Sequence, residues 1–183
     1  MRIIAGSRRG RTFAAPKGMD TRPTLDRVKE SLFGILQFEL EGRRVLDLFA
    51  GSGNLGLEAL SRGARYALFN DHGRESAALI RANVTKLGFE DCARVLCMDY
   101  ASAIRMAAGD GQAFDLVFLD PPYRAELGEK AMAAMLDARI LGADSKVILE
   151  HSASALPGEV SGFALTGRRV YGDTALSFYT LGG

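Results

Sequence analysis

Phe114-Asp115-Leu116-Val117-Phe118-Leu119-Asp120-Pro121-Pro122-Tyr123 is the stretch on which the fold turns. Phe114 to Leu119 is a short apolar run between turn formers, the pattern of a strand buried on both faces. The run stops at a carboxylate, two prolines and a ring. Asp120 precedes a proline, which biases its backbone toward extended geometry. Pro121 and Pro122 fix their own φ and lack N–H donors, so the chain leaves the sheet stiffly. An acid, a rigid carbonyl and a ring then stand at the carboxyl end of a strand, where open α/β sheets bind ligands.

Upstream and downstream of this strand, apolar runs alternate with helical periodicity. Strands are expected at 44–48, 66–70, 93–97 and 145–150, and helices from the glycine loop to about Arg62, over 74–87, 101–108 and near 126–138. Gly63 and Gly88 stand where helices end. Two β-like runs, 163–170 and 175–179, flank Tyr171-Gly172-Asp173-Thr174; no helix fits in that gap, so the pair must be antiparallel. Repeated strand–helix units imply an α/β domain with a mostly parallel sheet, right-handed crossovers and helices on both faces. The loop from Asp47 to Gly56, Asp71, Asp99, Asp120–Tyr123 and the last turn should then share one sheet edge.

The amino-terminal part differs from this body. Met1–Ala15 reads as two short strands around a basic loop, Gly6-Ser7-Arg8-Arg9-Gly10. Leu25, Val28, Leu32, Ile35 and Leu36 recur at helical spacing to about Phe38, after a possible cap at Thr24. Residues 1–29 hold eight basic residues against two acidic ones, a balance of +6 that leaves −5 for the rest of a chain of net charge +1. A basic arm on a mildly acidic body points to a polyanion; a merely solvated charged face is the plainer alternative. Arg2, Arg8, Arg9, Arg11, Lys17 and Arg22 are the candidate polyanion contacts, RNA-binding residues if the polyanion is RNA.

The 183 residues fit one domain, an arm over 1–23 on a core over 24–183. A hydrophobic fraction of 48% with 25% charge excludes disorder. No apolar run approaches the length of a membrane span, and the first residues lack the core of a signal peptide. Cys92 and Cys97 lack metal or redox spacing, and two histidines make no zinc site. The expectation is a cytoplasmic protein without metal.

Asp120 and the Pro121 carbonyl are two acceptors able to hold both hydrogens of a flat exocyclic amine and free its lone pair toward an electrophile. Pro122 stiffens that turn, and Tyr123 is placed to stack on an extruded base. The bland alternative is a proline turn with a solvated Asp. Gly51-Ser52-Gly53-Asn54-Leu55-Gly56 is a glycine loop between strand and helix, with Asp71 placed for ribose hydroxyls. Asp47 leads into that loop, where a dinucleotide's pyrophosphate would be repelled. S-adenosylmethionine has no phosphate and carries an ammonium and a sulfonium, which Asp47 would attract. Candidate cofactor residues are Asp47, Phe49, Gly51, Ser52, Gly53, Asn54, Asp71 and Asp99, the last for the adenine amine. Helix capping is the alternative for Asp71 and Asp99.

Asp47–Gly56, Asp71, Asp99 and Asp120–Tyr123 resemble class I S-adenosylmethionine-dependent methyltransferases acting on amino nitrogens. More narrowly, Met1–Gly6, Thr21–Thr24, Arg27–Glu30, Val45–Gly63 and Tyr171–Leu176 resemble the bacterial 16S ribosomal RNA guanine-N(2) methyltransferases of the RsmD type. The resemblance implies a Rossmann-like, seven-stranded sheet with a reversed last strand and methyl transfer to one guanine of 16S RNA in the 30S subunit or its assembly intermediate. The expected form is a monomer, with Tyr171 and Asp173 beside the site. Asp71 stands where that family often has Glu, and His72-Gly73 where Lys-Asp is common. A DNA amino methyltransferase, an idle RNA-binding module and a dinucleotide oxidoreductase are the rivals. They are disfavoured, in turn, by short loops, by the complete acid and proline set, and by Asp47.

Overall fold

Apolar β-rich runs flanked by glycine, proline or acid become the strands, and the computed structural model describes residues 1–16, 23–122, 125–155 and 158–182. In chain order the elements are α1 (Pro23–Ile35), β1 (Arg44–Asp47), α2 (Asn54–Ser61), β2 (Tyr66–Asn70), α3 (Arg74–Leu87), β3 (Ala93–Leu96), α4 (Tyr100–Gly109), β4 (Phe114–Leu119), α5 (Ala125–Asp137), β5 (Leu141–Ser152), β6 (Phe163–Tyr171) and β7 (Thr174–Leu181). The seven strands form one sheet in the order β3-β2-β1-β4-β5-β7-β6. β1 to β5 pair in parallel, and β7 runs antiparallel to both β5 and β6. Strand order reverses between β1 and β4, so the crevice at their carboxyl ends is the natural ligand position.

Alternate residues of each strand fill opposite faces. On one face Val45, Phe118 and Ile148 pack with α1, α2, α3 and the buried arm residues Ile3 and Phe13. On the other, Leu46, Val117 and Leu149 pack with α4 and α5. Among the described residues no helix is long and apolar enough to cross a membrane.

Most ends shift by a residue or two, and three differences from the sequence expectation are larger or have a clear cause. β5 begins at Leu141, not Ser145, because a bulge opposite Phe114–Leu116 absorbs Gly142–Asp144 while Leu141 still pairs with Phe114. α1 stops at Ile35, leaving Ile35 and Phe38 exposed, since Val28, Leu32, Phe33 and Leu36 supply the buried stripe. The arm is a hairpin with an isolated bridge, Arg2 to Thr12, in place of two strands, its Ile3, Gly10 and Phe13 N–H groups donating to the Arg11, Ile3 and Met1 carbonyls. Its order comes also from α2 and α3.

Ile4 and Ala5 N–H donate to the two carboxylate oxygens of Glu58 (2.9 and 3.0 Å), and Ser7 N–H donates to the Ser61 carbonyl (2.6 Å). Asn83 of α3 takes Ala14 N–H on its oxygen and donates to the Ala14 and Ser52 carbonyls. Gly6 lies at φ +83°, and an added Cβ would meet the Ser61 carbonyl oxygen at 1.8 Å. Gly6→Ala combines a left-handed backbone with a backbone clash, so it should cost more than about 1 kcal/mol. Urea unfolding is the check, and an unchanged midpoint would contradict this close packing.

Candidate active site

Asp47 ends β1 almost wholly buried, and its Oδ2 accepts the Gly56 N–H (3.0 Å), which folds the glycine loop back over the strand end. Gly51 and Gly53 take positive φ in that loop (56° and 81°). Burial, partly offset by the Gly56 N–H and reinforced by Asp120 and Asp71, pushes the Asp47 carboxyl up to about 7. Asp71, just beyond β2, accepts Gly51 N–H on Oδ2 (3.0 Å) and Gly73 N–H on Oδ1 (2.8 Å). It therefore staples the glycine loop to the start of α3, and each oxygen keeps a lone pair.

Next to this loop lies a cavity of about 220 Å³ walled by Phe49, Met98, Tyr100 and Pro122, with Asn70 and Asp99 as polar groups. The Phe49 and Tyr100 rings stand 6.1 Å apart and tilted by 40°. Asn70 is almost fully buried; its amide donates to the Leu48 and Met98 carbonyls (3.2 Å each), while its Oδ1 has no partner. A buried acceptor without a partner therefore stands in the wall of a largely apolar cavity, where a donor would satisfy it. Asp99 caps α4, accepting Ser102 N–H on Oδ1 (2.9 Å); its hydrogen bonds with Ser102 hold its carboxyl below the usual range. Capping and ligand contact are compatible there, because Oδ2 is left over.

Asp120, Pro121 and Pro122 follow β4 directly, one strand from Asp47, with Leu119 in register with Leu149 of β5. Asp120 keeps an exposed surface, yet the strand ends around it remove enough water that desolvation raises its carboxyl to about 6. Tyr123 lies outside the described residues. Tyr171 ends β6 on the same sheet edge, its hydroxyl hydrogen-bonded to Ser31 of α1, and the Asp173 carbonyl accepts Ala153 N–H (2.8 Å).

Several expected site residues face elsewhere. Ser52 Oγ donates to Met1 Sδ (3.1 Å), and Asn54 Oδ1 accepts the Lys29 ammonium (2.8 Å), so both side chains serve the arm and α1. Arg8 donates Nε–H to the Leu87 carbonyl (2.7 Å) and lies 5.2 Å over the Phe89 ring; it is a brace on the end of α3, not a free cation. The loop tip with exposed Arg9 and Arg11 thus sits at the carboxyl ends of α2 and α3, on the edge opposite Asp120. α3, at 14 residues, sets that separation at about 20 Å. Exposed Arg2 lies near the acid edge, its carbonyl accepting Lys29 Nζ (3.1 Å). Lys17 and Arg22 lie outside the described residues.

Asn70, Met98 and Tyr100 of the cavity wall escaped the sequence reading, and with them Asn83, Glu150 and the ion pair of Glu58 with Lys29 (2.9 Å), which was counted there as arm charge. Asn70 and Glu150 had a signal, a polar residue at the end of an apolar run like Asp47 and Asp120.

A family profile described as "Conserved hypothetical protein 95" matches residues 1–180. The chain is 39% identical to the "Putative rRNA methyltransferase YlbH" of Bacillus subtilis, over 98% of each protein. It is 34% identical to the "Ribosomal RNA small subunit methyltransferase D" of Escherichia coli K12, over 98% of this chain and 89% of that one. The chain belongs to the RsmD methyltransferase family. The solved structure of "Putative methyltransferase yhhF from Escherichia coli" superposes with a TM-score of 0.86 at 31% identity, covering 99% of this chain and 97% of that one. The seven-stranded sheet with its reversed β7 is therefore the architecture of this methyltransferase family.

Proposed function

We propose that the protein transfers a methyl group from S-adenosylmethionine to the 2-amino group of a guanine in 16S ribosomal RNA, on the 30S subunit or an assembly intermediate. The observation that carries this is the Asp120-Pro121-Pro122 strand end, with Pro122 itself a wall of the cavity that Phe49, Asn70, Asp99 and Tyr100 also line. Two family members named as ribosomal RNA methyltransferases support the substrate class. Guanine and its 2-amino nitrogen come from the resemblance in the arm and the last turn.

S-adenosylmethionine, when bound, supplies an electrophilic methyl on a sulfonium. Phe49, Met98 and Tyr100 would enclose its adenine, Asp99 Oδ2 and Asn70 Oδ1 would accept its donors, and Asp71 its ribose hydroxyls. Asp120 and the Pro121 carbonyl would hold the two amine hydrogens, leaving the nitrogen lone pair free, and Asp120 would take the proton the amine sheds. Fixing both reactants is the main source of rate. Tyr123 is proposed to stack on the extruded guanine, and Arg2, Arg9 and Arg11 to meet RNA phosphates. With Arg9 and Arg11 some 20 Å from Asp120, the RNA would have to run along the arm.

The test is transfer of labelled methyl to 30S subunits, naked 16S RNA and duplex DNA, followed by nucleoside analysis. Label in 2-methylguanosine from 30S is the expected result. Methylated adenine or cytosine in DNA would overturn the substrate.

Asp47, raised to about 7, holds its proton longer than a free carboxyl, and the carboxylate is the form that attracts a cationic ligand. Affinity for S-adenosylmethionine should rise about threefold to tenfold between pH 6 and 8, with proton release on binding. Calorimetric titration in buffers of different ionisation heat measures both, and a flat affinity would remove Asp47 from cofactor binding.

A further inference from the structure

β4 and β5 run parallel with Phe118 beside Ile148 and Leu119 beside Leu149. One step further, the same register sets Asp120 and Glu150 next to each other, about 4.8 Å apart at Cα. Phe118 and Ile148 both fill the face shared with α1 and the arm, so Asp120 and Glu150, two residues on, take that face as well. On its other side Glu150 pairs with Leu176 of β7, an apolar neighbour. We infer that Glu150 is a positioning residue for Asp120: in its neutral form it donates a hydrogen bond to the Asp120 carboxylate, keeping that group ionised and aimed while the pair shares one proton. This rests on the methyl-transfer reading above, in which Asp120 is the acceptor for the amine.

No cation answers Glu150 among the described residues. Lys29 of α1 is engaged by Glu58 and Asn54. Arg169 of β6, in line with Leu176 and Glu150 across the sheet, is exposed and donates to the Arg168 carbonyl. Ser31 and the Tyr171 hydroxyl bond each other, Asp47 adds a further negative group from β1, and His151 is turned to Ser177 on the opposite face. Burial, with the Asp120 charge in second place, raises Glu150 to about 8, against about 6 for Asp120. Of two carboxyls side by side, the one with less access to water holds the proton: Glu150 is half-buried beside Leu176, whereas Asp120 keeps an exposed surface and remains the acceptor. Above about pH 8 the second ionisation would remove the donor and set two like charges together, and Asp120 would lose its fixed orientation.

The experiment combines the pH profile of kcat on 30S subunits with carboxyl 13C NMR titration of the ligand-free protein, for wild type, Glu150→Gln and Glu150→Leu. The expected wild-type rate falls severalfold above pH 8. Glu150→Gln, a permanent neutral donor, should stay within about threefold of wild type at pH 7 and lose the alkaline fall. Glu150→Leu should lose about tenfold or more in kcat with unchanged cofactor affinity. The wild-type pair should titrate in two steps, near 6 and 8, and the Gln variant in one. An alkaline fall retained in the Gln variant, a Leu variant as active as wild type, or a single step in wild type would each overturn the role. Absence of methyl transfer by wild type would overturn the underlying reading instead, and the NMR titration would still decide whether the pair shares a proton.

Discussion

Asp120→Asn should bind S-adenosylmethionine as wild type does and lose about 10²–10³-fold in kcat. The two side chains have the same shape, so the turn through Pro121 and Pro122 is kept, and Asp120 is not among the residues that wall the cofactor cavity. What changes is the group aimed at the amine. An amide presents N–H toward N–H, or else one neutral carbonyl, and it carries no charge to offset the positive charge that develops on the nitrogen. Loss of one preorganised electrostatic contact of this kind typically lowers kcat by that factor. The pH dependence follows from the same group. Desolvation raises its carboxyl to about 6, and the ionised form is the acceptor, so the wild-type rate should climb as pH rises through about 6 and hold level until the alkaline fall expected above pH 8. Single-turnover transfer to 30S subunits, alongside calorimetric cofactor binding, separates chemistry from affinity. Near-normal turnover in the Asn variant would remove Asp120 from the mechanism.

The acid edge was legible in the sequence because its signals are local. The run Phe114–Leu119 between turn formers became β4, the glycine loop followed β1, and Gly88 closed α3 with φ +70°. Even the alternatives for Asp71 and Asp99 were physical: both carboxylates do bond backbone N–H groups at helix starts. Register is not local. That Leu119 faces Leu149, and hence that Glu150 stands beside Asp120, depends on how two strands separated by α5 are paired. The expected strand began only at Ser145, after Gly142 and Asp144, yet pairing with β4 draws both into β5 through a bulge. Charge misled most. Lys29, Glu58 and Arg8 look like surface residues in a row of letters, since unpaired charges are seldom buried. Their partners come from α2, α1 and the end of α3, and only the folded chain brings those together.

Glu58→Ala should lower stability by about 3–5 kcal/mol, a fall of about 10 °C in Tm for a chain of this size. Glu58 is fully buried, and its two oxygens take four donors: Ala5 N–H and Arg62 Nε on Oε1, Ile4 N–H and Lys29 Nζ on Oε2. Removal leaves the Lys29 ammonium buried with only Asn54 Oδ1 and the Arg2 carbonyl, and strips two backbone N–H groups of the arm of their acceptor. Burial works against the charged Glu58, but Lys29, the Ile4 N–H and Arg62 together hold its carboxyl below the usual range. Its contribution is therefore present above the unfolded carboxyl pKa and fades as pH falls through the lower folded value. Lys29 is lowered as well, because burial disfavours its charge more than Glu58 restores it. The pair thus returns little beyond its own desolvation, and breaking it is far worse than never having it. A Lys29→Met, Glu58→Leu double variant should accordingly lose less than the two single variants added together, with a remainder for the unpaired Ile4 and Ala5 N–H groups. Thermal melts at pH 7 and pH 4 test both statements, the penalty of Glu58→Ala shrinking at the lower pH. An Ala variant that melts with wild type would mean that Ile3 and Phe13, with the Ser7, Arg8 and Ala14 hydrogen bonds, hold the arm without Glu58. The effect should reach the cofactor too: Lys29 holds Asn54, Asn83 ties Ala14 to Ser52, and an arm that lifts away frees the glycine loop on which Asp47 closes.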